Sequence, residues 1–257
     1  MTSEVKQTAI NKPDPYPALK QYLSGVKIVT GGMFQMGTSD KSLKSDVKHT
    51  VTISDFRMAS YPVTNEVWSE YCSATQRRLP PRPDWGFIPN HPVVNVSWQQ
   101  IMDEQTGFCA WVWSTVKIRV ALPTEAQFEY ATRSGMNGTI FPWGNAFDPS
   151  KLWCSTEKIG DARSTAPVNR KNRVLVNDYG LTDMTGNVWQ WCLDWYQPYT
   201  NKSRRNPLVT KESMDDLKCI RGGGWDIKNP FYFQVCRRYW NYRRNYDDNI
   251  GFRLVVK

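Results

Sequence analysis

The chain has 257 residues, with 33 Lys and Arg against 24 Asp and Glu, a formal charge of +9. That length suffices for one large domain with a substantial core, and twelve Trp, twelve Tyr and ten Phe exclude a disordered polymer. No apolar run reaches the roughly eighteen residues a membrane-spanning helix needs. The positive balance permits an acidic partner but is scattered in pairs along the chain, so nucleic acid is not the expected partner.

Residues 1–22 are polar and carry Pro13, Pro15 and Pro17, which predicts an N-terminal arm or linker, or a segment lying across the domain, ahead of a single domain over 23–257. From "VKIVTGGMFQMGT" onward, short strand-like pieces alternate with Gly, Asn, Pro and Asp punctuation. The stretch "SDVKHTVTISDF" predicts an exposed strand start at His49. "TNEVWSEYCSAT" predicts a helix capped by Thr64, with Val67, Trp68 and Tyr71 on one stripe. "SWQQIMDEQTGFCAWVWSTV" predicts a second, capped by Ser97, with Ile101, Phe108, Trp111 and Val112 facing the core. His91, before Pro92, is expected to make structural hydrogen bonds.

"LPTEAQFEYATRSG" predicts a short amphipathic helix from Thr124 to Gly135. Beyond it the chain reads as loops, turns and brief strands packed by Trp and Tyr, with Trp189, Trp191 and Trp195 in the core. "NDYGLTDMTGNVWQWCLDW" gathers Asn177, Asp178, Asp183, Asn187, Gln190 and Asp194. Such oxygens either hold Ca²⁺ or stabilise turns. "RGGG" at Arg221–Gly224 lacks the spacing of a phosphate loop and predicts a tight turn. Six scattered Cys with no CxxC and only two His disfavour zinc and read as buried thiols in a reducing compartment.

In order, "GGMFQMGT", "YPVTNEVW", "HPVVNVSW", "LPTEAQFEYATRSG", "FPWGN", "YGLTDMTGNVWQW", "IRGGGWD" and "NIGFRLV" resemble the formylglycine-generating, sulfatase-modifying family. The resemblance implies an α+β, C-type-lectin-like fold: two main helices, small twisted antiparallel sheets, much irregular structure and neighbouring termini. Oxidising members carry a copper-binding cysteine pair just after the "RGG" turn. Here Ile227 falls at the first position and Cys236 alone matches the second, so the resemblance implies no catalytic residues and a protein that is not an enzyme. The family's calcium motif GNxWEW appears as "GNVWQW", leaving Asn187 and Gln190 as weak ligands, and no cofactor is expected.

The turn and the "IGFR" ending also resemble the variable proteins of diversity-generating retroelements, whose hypervariable region lies between two such marks, here 221–253. Adenine-directed mutation of Asn codons yields Tyr, Asp, Phe, Ile and Arg among others, but never Trp, Lys, Gln, Glu or Met. The resemblance therefore implies a ligand-binding surface of Asp226, Ile227, Phe231, Tyr232, Phe233, Arg238, Tyr239, Asn241, Tyr242, Asn245, Tyr246, Asp247, Asp248 and Asn249. Trp225, Trp240 and Phe252 are its supports, and Lys228 and Gln234 are invariant. In a strand, Cys236, Arg238, Trp240 and Tyr242 would share one face, with Arg237, Tyr239, Asn241 and Arg243 on the other. Tyr239, Tyr242 and Tyr246 are expected to be exposed, and "IGFRLVV" to form one closing strand.

The reading is a non-catalytic, monomeric protein presenting this surface to a macromolecular ligand, a protein. It would act at the cell surface if a lipoprotein signal has been removed, and otherwise in the cytoplasm. The alternatives are an oxidase with a displaced metal site and a basic aromatic nucleic-acid-binding module, the latter with steeply salt-dependent affinity.

Overall fold

A computed structural model describes residues 14–40, 47–135, 138–156 and 160–257. Residues 1–13 of the expected arm lie outside that set. The helices are α1 (Pro17–Ser24), α2 (Asn65–Thr75), α3 (Trp98–Met102), α4 (Phe108–Val116) and α5 (Glu125–Arg133). The strands are β1 (Lys27–Val29), β2 (Gly32–Met36), β3 (His49–Ile53), β4 (Phe56–Met58), β5 (Val120–Ala121), β6 (Trp189–Trp195), β7 (Arg204–Arg205), β8 (Leu217–Arg221), β9 (Arg238–Tyr242), β10 (Ile250–Gly251) and β11 (Val255–Val256). They make sheets ordered β1-β4-β11-β5, β10-β6-β8-β9 and β2-β3-β7. After α5 the described chain holds only strands, turns and two 3-10 turns, the helix-poor second half that was expected.

Four expectations are corrected. The supposed arm is helical from Pro17, because Pro suits a first helical turn and Glu70 accepts hydrogen bonds from the otherwise orphaned amides of Ala18 and Leu19. Leu19 and Tyr22 then sit in the main core beside Phe252 and Leu254, which ties α1 to the C-terminal end of the chain.

The helix predicted from Ser97 is two helices. Ser97 and Gln100 form a capping box on α3, but Asp103 leaves the helix and its Oδ1 accepts from the amides of Gln105 and Thr106. Gly107 restarts the chain at a point where a Cβ would lie 2.5 Å from the Asp103 carbonyl oxygen.

The closing strand is broken. β10 pairs parallel with β6, and β11 pairs with β4 and β5 in another sheet. Between them Phe252 fills the aromatic core against Trp68 and Phe108. His49 begins β3 as predicted but is buried, its ring edge-on to Tyr199 at 4.9 Å. His91 accepts or donates a hydrogen bond at Thr165 Oγ1, 3.0 Å away, the structural role expected. The cysteines are free thiols, all buried except the half-buried Cys109.

Candidate functional site: a C-terminal face on a buried ion network

The site is built on α5. Thr124 and Gln127 close a capping box, and Asp194 Oδ2 accepts from the Glu125 amide at 2.8 Å, so the first turn is satisfied twice over. Residues four apart share one side of a helix, which puts Glu125, Glu129 and Arg133 in a row. That row faces inward: all three are buried, with Glu129 accepting from Arg133 Nε at 3.0 Å.

Two further arginines meet the row. Arg238, at the start of β9, grips Glu125 with Nε to Oε1 at 2.8 Å and Nη2 to Oε2 at 2.6 Å, and donates Nη1 to the Gln197 carbonyl at 2.8 Å. Its guanidinium lies 3.8 Å from the Tyr199 ring centroid and 4.5 Å from that of Tyr196. Arg221, ending β8, pairs with Glu129 and donates to the carbonyls of Cys236 at 2.9 Å and Val235 at 3.2 Å. Burial opposes the charge on Glu125, but Arg238 and Arg221 outweigh it and hold the carboxyl below its ordinary range. Asp194 is pushed up to about 7 by burial and then by the Glu125 carboxylate, which outweigh its backbone donors and Arg238.

A third arginine closes the stretch. Arg253 is fully buried and donates to the carbonyls of Thr182 (2.7 Å), Asp183 (2.9 Å) and Ala59 (3.2 Å) and to Gln190 Oε1 (2.6 Å). Gln190 Nε2 donates to the Asp183 carbonyl at 2.7 Å, and Asn187 Oδ1 accepts from the Ala166 amide at 2.8 Å. The side-chain oxygens of both calcium candidates are thus engaged by protein donors.

Arg221 begins the turn that was expected: Gly222 and Gly223 have φ of +99° and +82°, and a Cβ on Gly223 would fall 2.5 Å from Phe233 Cδ1. Phe233 is consequently 0% exposed, against its placement in the presented set. Arg238 is 1% exposed and is likewise removed from that set, because its charge is consumed by Glu125. Ile227 is half-buried against the small cluster of Phe141, Leu152, Cys154 and Phe233, an apolar seat.

The remaining predicted residues are divided by the strand: along β9 Tyr239 and Asn241 lie on one side, and Trp240 and Tyr242 on the other. Tyr239, Tyr242 and Tyr246 are 41%, 46% and 51% exposed. Tyr239 stands beside Trp189 (5.7 Å), Tyr232 (6.3 Å) and Trp240 (5.7 Å, parallel), with Tyr242 edge-on to Trp240 at 6.0 Å. Phe231 lies under the Arg237 guanidinium at 4.4 Å. Asn241 Oδ1 accepts from the Tyr242 amide at 2.8 Å, and Asn245 and Asp226 are exposed.

The 243–249 loop is tied down by its backbone. Gln99 and Asn95 donate to the carbonyls of Arg243 and Asp247, and Trp189 donates to that of Asn249. Asn249 Nδ2 bonds Asp226 Oδ2 at 3.0 Å, and Trp225 donates Nε1 to the Asp248 carbonyl while packing edge-on to Trp85 at 5.2 Å. Burial, then Asp247, Asp226 and Asp84, push the Asp248 carboxyl up. Trp225 and Trp240 are half-buried and Phe252 is 0% exposed.

Sequence reasoning missed the ion network. The signal available was the four-residue spacing of Glu125, Glu129 and Arg133, which a solvated helix face would show equally. Pairing with Arg221 and Arg238 is a tertiary event.

Comparison with known proteins places this geometry. An inactive C-alpha-formylglycine-generating enzyme 2 from Bos taurus is 29% identical over 88% of this chain and 85% of its own length. A formylglycine-generating enzyme from Mus musculus is 25% identical over 100% of this chain and 78% of its own. In three dimensions, Treponema denticola variable protein 1 superposes with a TM-score of 0.74 at 21% identity, covering 90% of this chain and 94% of that one, a likeness of fold. The family model of the sulfatase-modifying factor enzyme 1-like domain matches residues 12–257, and with its α5–β6–β8–β9 centre and C-type-lectin-like fold the chain belongs to that family.

Proposed function

We propose that the protein is a non-catalytic binder that presents its C-terminal face, the exposed and half-buried residues of 226–249, to a protein ligand. One observation carries the reading: three tyrosines about half exposed, at 239, 242 and 246, stand on a strand and loop whose backbone is fixed. Tyr and Trp supply large contact area at low entropic cost, and free surface does not hold such groups for the sake of stability. Ile227 in its apolar seat supports the non-catalytic part, since an isoleucine stands where the oxidising relatives carry the first cysteine of their pair. The similarity to a protein named as an inactive formylglycine-generating enzyme supports it too. Asn187 and Gln190 are held by the protein itself, so the reading needs no ion.

The test is comparative. Sibling copies of the gene should differ at exposed positions of 226–249 and agree at Arg221, Phe233, Arg238 and Arg253. Differences spread evenly over the chain would sink the diversified-surface reading. Copper-dependent oxidation of a cysteine peptide, abolished by Cys236→Ala, would sink the non-catalytic one. Against a ligand once isolated, Tyr239→Ala should weaken binding by about 2 kcal/mol, roughly thirtyfold, with unchanged unfolding midpoint.

A further inference from the structure

We infer that Glu125 and Arg238 are a positioning pair: the two-point grip between helix α5 and the first residue of β9 sets the placement of the strand that carries Tyr239 and Tyr242. The inference deepens the binding-face reading and rests on it. Among the described residues β9 is the outermost strand of its sheet, with β8 as its ladder partner on one side. Its register is Arg238 opposite Arg221 through to Tyr242 opposite Leu217, without a shift. The Arg243 amide donates to the Asp216 carbonyl. By the alternation of an antiparallel ladder, the Tyr239 and Asn241 amides then also point to β8, while those of Arg238, Trp240 and Tyr242 point outward.

An edge strand secured by so few bonds frays unless side chains hold it. Here the holding is done from behind. Arg238 uses both carboxylate oxygens of Glu125 and the Gln197 carbonyl, with its guanidinium packed on Tyr196 and Tyr199. Arg221 holds the carbonyls of Val235 and Cys236, just ahead of the strand, to the next carboxylate of the same helix. A bidentate guanidinium–carboxylate pair fixes both distance and angle, so the strand cannot shift by a residue without breaking it. Holding Tyr239 and Tyr242 still before the ligand arrives lowers the ordering cost of binding.

Amide hydrogen exchange tests this without any ligand. In the native protein, the Tyr239 and Asn241 amides should exchange in step with α5, as one cooperative unit. Exchange a hundredfold faster than α5 would overturn the inference while leaving the binding face itself standing. The paired variant Glu125→Leu with Arg238→Met removes both charges and keeps the volume, which buried pairs generally tolerate. It should fold, with Tyr239 and Asn241 exchanging at least tenfold faster and α5 unchanged. A folded variant with native exchange at those two amides would also overturn it. Should that variant not fold, the native measurement decides alone. Failure of the sibling comparison, by contrast, would remove the binding face and leave the positioning result untouched.

Discussion

Lys218 shows how much a single side chain is governed by its surroundings. It is 2% exposed, lies 3.9 Å and 3.7 Å from the ring centroids of Trp98 and Trp195, and donates to the Leu193 carbonyl at 3.2 Å. Burial pulls its ammonium down to about 8. A base whose folded pKa is depressed gives its full stabilisation above the unfolded value, near 10.4, and loses it as pH falls through about 8. Lys218→Met should therefore gain stability on the native protein at pH 7, by about 1 kcal/mol, and lose that advantage by pH 10. Urea unfolding of both proteins at the two pH values checks the sign. The same principle separates the expected surface residues: Tyr239, Tyr242 and Tyr246 stayed outside, while Arg238 and Phe233 went in. Residue type marked the stretch as presented. Only tertiary neighbours, such as Glu125 for Arg238, could say which members were withdrawn.

At the scale of elements, α5 and the glycine turn act as a seat and a hinge stop. The cap signals of α5 are local, Thr124 with Gln127 three residues on, and were legible in the sequence for that reason. The inward turn of its charged row was not, because helical periodicity assigns a face without naming what covers it. Likewise the split between α3 and α4 depends on the Asp103 side chain bonding ahead to Gln105 and Thr106 in preference to continuing the helix. The turn gives the sharpest prediction at this scale. Gly223→Ala requires both a left-handed residue and a Cβ 2.5 Å from the buried Phe233 ring, which should cost about 3 kcal/mol. The measurement is the denaturant midpoint, and Gly138→Ala, with nothing within 4 Å of its Cβ, should lose no more than about 1 kcal/mol as the strain-only control.

Across the whole molecule, three buried arginines at 221, 238 and 253 pin the start, middle and end of the C-terminal stretch to α5 and to the 59–60 and 182–183 carbonyls. Arg253 ties the chain end to neutral oxygens of distant segments. Burial draws it down to about 10, still a cation at neutral pH. Arg253→Met would strand the Thr182, Asp183, Ala59 and Gln190 oxygens, a loss of about 4 kcal/mol seen as a fall in the unfolding midpoint. Arg253→Lys should recover only part, since one ammonium cannot reach oxygens spread around a planar fork.

From the sequence alone came the family resemblance, the C-type-lectin-like class, the helix-poor second half and the tyrosines of the face, because ordered motifs, local caps and composition are written within short windows. The tertiary structure alone decided that α1 belongs to the core, that the last strand breaks in two, and that Arg238 and Phe233 lie behind the face. Those outcomes turn on long-range pairing: a buried charge is stable only where its partner is delivered to it, and the partner of Arg238 sits 113 residues earlier in the chain.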